Sequence, residues 1–275
     1  MKKNIYFVQV SDVYSTGKKT SCIPYAVGCI QAYCQSNKII NENYNFGKFI
    51  YIKEPIENVV SRLDDPYMVL FSCSVWNLEY NKSLAKAIKK AYPNCLVTFG
   101  GHNVSPDGAE LKKYNFIDFI THRFGEEVTE NLLVNLALNL PIDSISNLSY
   151  RNLSGDIITT KYEPQTGTSY PSPYLEGTFD EILKDDISFS VLFESNRGCP
   201  NSCAFCDWSD LGTKVRLFPM QKVKAELDWF AKHKIEYIYC VDANFCLFDR
   251  DAEIADYVVQ CKEKYGYPKV FKVFF

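Results

Sequence analysis

An α/β fold is predicted by three observations. Short runs of apolar, β-branched and aromatic residues recur through the first 140 residues, segments of helical period separate them, and the same alternation resumes after a stretch rich in Pro, Gly, Ser and Thr. The expected arrangement is an N-terminal doubly wound parallel sheet followed by a shorter β/α unit.

Five strands are read in the first part, over residues 5–10, 49–52, 68–74, 95–99 and 116–120. Their near-continuous apolar character is that of parallel strands buried on both faces. Helices are expected over 24–35, 56–63, 77–92, 106–114 and 126–138. In the third, Leu84, Ile88 and Ala91 recur at helical spacing while Lys82, Lys86, Lys89 and Lys90 take the solvated sides. In the fourth, Ser105 reads as the N-cap with Pro106 at the first helical position. Two strand-like runs, 147–152 and 156–160, flank Gly155 as a hairpin, and 164–173 reads as a linker. Beyond it come a strand at 189–194 and a helix at 219–233 with Met220, Val223, Leu227 and Phe230 on one face. A strand at 235–241, a helix at 249–264 capped by Asp249 and a strand at 270–275 complete the chain. The domain division expected is 1–140, a hairpin and linker over 141–185, and a second domain over 186–275.

Composition removes several function classes. A net charge of -3 and a pI near 5.7 give no basic field for gripping phosphate backbones, so a nucleic-acid partner is not expected. The apolar run after Lys2 and Lys3 breaks at Gln9, Ser11 and Asp12, too soon for a secretory segment or a membrane span. Eleven cysteines, an odd number without a leader, do not form a secreted disulfide framework. A cytoplasmic protein with mostly free thiols is expected.

The densest chemistry is Arg197-Gly-Cys199-Pro-Asn-Ser-Cys203-Ala-Phe-Cys206-Asp-Trp208. Three thiols within eight residues of a Gly- and Pro-containing loop can converge on one metal centre, and sulfur ligands suit iron-sulfur clusters, zinc or copper(I). Structural zinc normally closes with four ligands, and after Cys206 no Cys or His follows until His233, in an expected helix. Cys29, Cys34 and Cys261 lie in apolar helical patterns and read as packing residues.

The Cys199, Cys203, Cys206 spacing, with Phe205 before the third cysteine, resembles the signature of the radical S-adenosylmethionine (SAM) superfamily. Residues 171–180, the run Phe193-Glu-Ser-Asn-Arg-Gly-Cys199 and Val241-Asp-Ala-Asn-Phe245 are similar to the subgroup with an N-terminal cobalamin-binding domain. The resemblance covers nearly the whole chain. It implies a Rossmann-like cobalamin-binding domain over 1–140 and the first half of a radical SAM partial β/α barrel over 186–275. It implies a 4Fe-4S cluster held by Cys199, Cys203 and Cys206, with SAM on the open iron and a 5'-deoxyadenosyl radical as product of its cleavage. Phe205 is then expected near the adenine, and Asp242 and Asn244 near the methionyl end; from the residues alone, both also read as turn or capping positions. Methyl transfer from cobalamin to an unactivated carbon is the activity implied. A radical rearrangement or cyclisation without methyl transfer, or a non-catalytic cobalamin- or metal-binding module, stand beside it. The partners expected are an unidentified substrate and a reductant such as flavodoxin or ferredoxin.

In such a domain the ligand lies against the carboxyl ends of the strands. Ser72 and Ser74, Gly100 and Gly101, and Gly125 and Glu126 leave three successive strands there, hydroxyls offering hydrogen bonds and glycines allowing close approach. Each also reads as a tight turn. Cobalamin domains with an axial histidine carry Asp-x-His-x-x-Gly after the first strand, whereas this chain has Asp12-Val-Tyr14-Ser-Thr-Gly17, so no histidine ligation from that loop is expected. His102 and His122 read as surface or capping residues. About 85 residues follow Ser190, against roughly 30 per barrel unit. A truncated chain, a split enzyme or a partner chain covering the apolar last strand is therefore expected.

Overall fold

The computed structural model of the protein describes residues 1–13, 19–164, 170–206 and 214–274. Tyr14 and Gly17, linker residues 165–169, Asp207 and Trp208 of the cysteine motif, and Phe275 lie outside the described residues. Met1–Val13 with Ala26–Gln165 form one compact unit, and Tyr14–Tyr25 with Thr166–Phe275 form another.

The elements up to the linker are β1 (Lys3–Ser11), β2 (Thr20–Cys22), α1 (Tyr25–Gln35), α2 (Lys38–Asn43), β3 (Tyr44–Phe46), β4 (Ile50–Ile52), α3 (Ile56–Ser61), β5 (Pro66–Ser72), α4 (Leu78–Ala91), β6 (Leu96–Gly100), α5 (Ala109–Lys113), β7 (Phe119–Thr121), α6 (Gly125–Leu138), β8 (Leu148–Arg151) and β9 (Ile157–Thr159). The rest are β10 (Ser188–Phe193), β11 (Asn196–Arg197), β12 (Arg216–Leu217), α7 (Met220–Lys232), β13 (Tyr237–Cys240), α8 (Arg250–Tyr265) and β14 (Val270–Lys272).

Among the described residues the first unit holds a sheet in the order β3-β1-β5-β6-β7-β8-β9, with β4 also on β1. The pairs from β3 to β7 are parallel, whereas β7–β8 and β8–β9 are antiparallel. The sheet is therefore mixed. The hairpin expected in the inter-domain segment extends this sheet instead, because Leu148 pairs with Thr121 and gives the β7 edge a partner. The chain runs from β1 outward to β3 and β4, then returns to the other side of β1 with β5. Strand order thus reverses between β1 and β5, the place where open α/β sheets bind ligands.

Alternation along the strands divides the side chains between two faces. Val8, Val10, Val69, Phe71, Val97 and Phe99 bury against Leu84 and Ile88 of α4, Val59 of α3 and Leu111 of α5. The spacing of α4 places Lys86 and Lys90 outside as expected. Lys89 turns inward, its Nζ 2.7 Å from Asp118 Oδ2 and 2.7 Å from the Cys95 carbonyl. The helix expected over 106–114 shrinks to α5. Gly108, at φ 67°, stands outside α-helical geometry, and the Ser105 N–H and hydroxyl donate to the Glu110 carboxylate.

The second unit's sheet, among the described residues, runs β14-β13-β10-β2, all parallel. Its edge strand β2 comes from the N-terminal part of the chain and was not expected: three residues carry no readable periodicity. Val223, Leu227 and Phe230 of α7 and Ile254, Val258 and Cys261 of α8 bury against this unit's core. Tyr174, 1% exposed, plugs it: its ring lies 4.6 Å from Phe230, 5.3 Å from Phe179 and 5.7 Å from Tyr25. Its hydroxyl donates to the Leu192 carbonyl. Asp249 occupies the N-cap position of α8 without a side-chain capping bond; Asp251 accepts from the Phe248 N–H at 3.0 Å instead.

Candidate metal and cofactor sites

The cysteine motif leaves the carboxyl end of β10. Asn196 pairs with Leu217 and Arg197 with Arg216, so the antiparallel ribbon β11–β12 closes the loop that carries Cys199, Cys203 and Cys206 at its neck. The Phe218 N–H donates to the Ser195 carbonyl at 2.9 Å just outside that ribbon. Gly198 sits in the neck at φ +106°, and a Cβ there would stand 2.7 Å from the Lys214 carbonyl oxygen. A side chain cannot be accommodated without moving backbone.

Two anchors fix the neck. The Asp242 carboxylate, just past β13, accepts from the Ser195 N–H (2.8 Å), the Ser195 hydroxyl (2.5 Å), the Asn196 N–H (3.2 Å) and the Asn196 side-chain amide (2.8 Å). Burial, 4% exposed, pushes this carboxyl up to about 6, and the Ser195 and Asn196 donors oppose that rise. On the other side Glu194 accepts from Arg197 Nε (2.8 Å) and the Tyr25 hydroxyl (3.1 Å). The Arg197 guanidinium stacks 5.0 Å from the Tyr170 ring and 5.7 Å from Phe218. Arg197 thereby shapes the loop.

Within the loop Cys199 is buried, Cys203 exposed and Cys206 half-buried, and Phe205 is 92% exposed. Asn244 Nδ2 donates to Cys199 Sγ at 3.3 Å. Among the described residues no three His, Cys, Asp or Glu side chains stand together closely enough to grip a metal ion. The sulfurs share one closed loop without converging. Three thiols with no carboxylate or imidazole among them fit an iron-sulfur cluster by donor chemistry.

In the first unit, Asn77 stitches the carboxyl ends of β1 and β5, and Asn81 reinforces it on β5. Asn77 Nδ2 donates to the Ser72 carbonyl (3.1 Å) and the Val10 carbonyl (3.4 Å), while its Oδ1 accepts from the Ser74 N–H at 2.8 Å. Asn81 Nδ2 also donates to the Ser72 carbonyl at 3.1 Å. Val75 and Trp76, in the same turn, are 76% and 60% exposed. Ser72 and Ser74 are half-buried at this point.

The chain's own backbone requires glycine at 101, and side chains crowd positions 100 and 125. A Cβ on Gly101, at φ +103°, would lie 2.6 Å from the Cys73 carbonyl oxygen, one on Gly100 2.4 Å from Thr121 Oγ1, and one on Gly125 2.5 Å from Ile30 Cδ1. Glu126 is buried in the first turn of α6. His122 is buried rather than at the surface, its Nε2 2.7 Å from Ser149 Oγ. Desolvation holds its imidazole down at about 4.

No family model matches the chain. TokK of Streptomyces tokunonensis, a cobalamin-dependent radical SAM methyltransferase, is 30% identical over 99% of this chain and 40% of its own length. The 2-(S-pantetheinyl)-carbapenam-3-carboxylate methyltransferase of Streptantibioticus cattleyicolor is 29% identical over the same shares. The chain is a relative of the cobalamin-dependent radical SAM methyltransferases.

The solved structure of the cobalamin-dependent SAM radical enzyme OxsB with aqua-cobalamin and SAM bound superposes with a TM-score of 0.69 at 18% identity, over 98% of this chain and 38% of that one. That likeness shows a common α/β fold with a mixed, mostly parallel sheet. This chain spans about 40% of the length of the curated relatives it matches. All eleven cysteines are free thiols, and no helix among the described residues is long and apolar enough to cross a membrane.

Proposed function

We propose that this chain is the cobalamin- and cluster-binding portion of a radical SAM enzyme that methylates an unactivated carbon. The observation that carries the reading is the cysteine loop: three thiols held on a neck that β11–β12 closes, at the carboxyl end of a parallel β/α sheet. The relationship to TokK, across 99% of this chain, supports it. So does the strand-order reversal of the first unit, with Val75 and Trp76 exposed beside it as an apolar rest for a large flat ligand.

In this reading Cys199, Cys203 and Cys206 hold the cluster, and the turn after β5 with the glycine turns beyond β6 and β7 receives cobalamin. When bound, the cluster supplies the electron that cleaves SAM, and cobalamin supplies the methyl group. The chain's own residues orient and exclude. Asp242, Glu194 and Arg197 fix the loop's neck, while Phe205, exposed on the loop, is free to cover the adenine. We read β10, β13 and β14, which pair in the order β14-β13-β10, as strands of a partial barrel. The reductant is a low-potential carrier of the flavodoxin or ferredoxin class.

The test is anaerobic reconstitution with iron and sulfide, then addition of SAM and reductant, for the wild type and Cys203→Ala. Cluster absorption with 5'-deoxyadenosine formation, both lost in the variant, is the expected result. One equivalent of zinc with no iron retained overturns the cluster assignment. Failure of a folded chain to retain cobalamin removes that half of the proposal.

A further inference from the structure

We propose that Asn244 donates an N–H···S hydrogen bond to the Cys199 thiolate and thereby raises the reduction potential of the cluster bound there. This rests on the cluster assignment made above and gives Asn244 a role different from contact with SAM.

The donor is fixed by what flanks it. Two residues earlier, Asp242 is 4% exposed and fastened to Ser195 and Asn196 by four hydrogen bonds. One residue later, the Phe245 N–H donates to the Phe274 carbonyl at 2.8 Å. The short segment between these two fastenings has little freedom, and it aims the Asn244 amide at Cys199 Sγ, 3.3 Å away. The same β13 loop thus grips the cysteine loop twice, at residues 195–196 and at 199. Cys199 is itself buried, so water competes weakly for its sulfur.

Reduction carries one electron from the external reductant onto the cluster, with no bond formed or broken. The added charge spreads over the iron and its thiolates, and a donor aimed at one sulfur stabilises the reduced form more than the oxidised one. Asn is suited to this work because its amide offers two donors without a charge of its own and keeps that character at any working pH. Removing the donor makes the cluster harder to reduce.

The experiment reconstitutes wild type, Asn244→Leu and Asn244→Asp and titrates each cluster by electron paramagnetic resonance against dithionite, without SAM or cobalamin. Leu removes the donor at similar volume; Asp replaces it with a negative charge at the same length. Both midpoints are expected to shift negative, Asp further than Leu, with iron content unchanged. SAM affinity, measured separately, is expected to change little. Equal midpoints in all three proteins overturn the proposal, and a loss of SAM affinity beside equal midpoints returns Asn244 to the cofactor. A wild-type chain that retains no iron instead overturns the cluster reading on which it stands.

Discussion

The Asp242 carboxylate takes both donors of Ser195, the backbone N–H at 2.8 Å and the hydroxyl at 2.5 Å. A side chain at the end of one strand therefore determines the backbone path at the end of its neighbour, immediately before the cysteines. Asp242→Ala leaves both donors of Ser195 and the Asn196 N–H without an acceptor in a buried place, and leaves the Asn196 amide only Ser195 Oγ at 3.4 Å. The expected cost is about 3 kcal/mol of unfolding free energy, read by urea denaturation. A loss below about 0.5 kcal/mol means that the clamp is not formed in solution.

Gly198→Ala places a methyl group against the Lys214 carbonyl in a left-handed backbone conformation. The strain is of order 1–3 kcal/mol, and it falls on the neck rather than on the sheets. Iron retained after reconstitution is expected to drop well below wild type while the far-ultraviolet circular dichroism stays unchanged. Wild-type iron content in this variant contradicts the closed neck.

Glu226 is 1% exposed in α7. Its Oε1, 3.9 Å from Lys222 Nζ, has no hydrogen-bond partner among the described residues. Desolvation raises its carboxyl to about 7, against the pull of Lys222 and a hydrogen bond with Ser172. The folded state therefore holds this proton after the unfolded state has released it, and stability falls as pH rises from the ordinary carboxylate range through 7. The loss is on the order of 3 kcal/mol. Glu226→Gln is expected to match the wild type near pH 5 and to exceed it near pH 8 in urea unfolding; parallel pH profiles count against the buried, under-partnered carboxylate.

Trp76, 60% exposed, contributes little to folding, so Trp76→Ala is expected to change stability by less than about 0.5 kcal/mol. Cobalamin retained through gel filtration is expected to fall. Unchanged retention moves the ligand away from the turn after β5.

Local pattern was legible and distant pairing was not. The helix α4 follows from the spacing of Leu84 and Ile88, and β5 and β6 from apolar runs that need no partner to be recognised. The hairpin β8–β9 was visible through Gly155, but its attachment to β7 depends on an edge that only the assembled sheet possesses. The three cysteines were legible because their chemistry is concentrated in one loop. Asp242 was singled out for its position, yet its partners lie 46 and 47 residues away, beyond any local spacing rule. Asn77 looks like an ordinary polar residue of a helix start, and only the reversal of strand order gives it two strand ends to join.

The strand β2 carries a consequence for synthesis and for dissection of the chain. Thr20 pairs with Ser188, 168 residues later, so a ribosome delivers this edge long before the strand it completes exists. Its three residues must wait through the whole first sheet and then close a long loop, a step whose entropic cost grows slowly with length but which makes this contact late in folding. A fragment cut at the linker would carry the cysteines and lose a wall of the sheet behind them. Any attempt to express the cysteine-bearing half alone has to bring residues 20–22 with it, for instance by circular permutation.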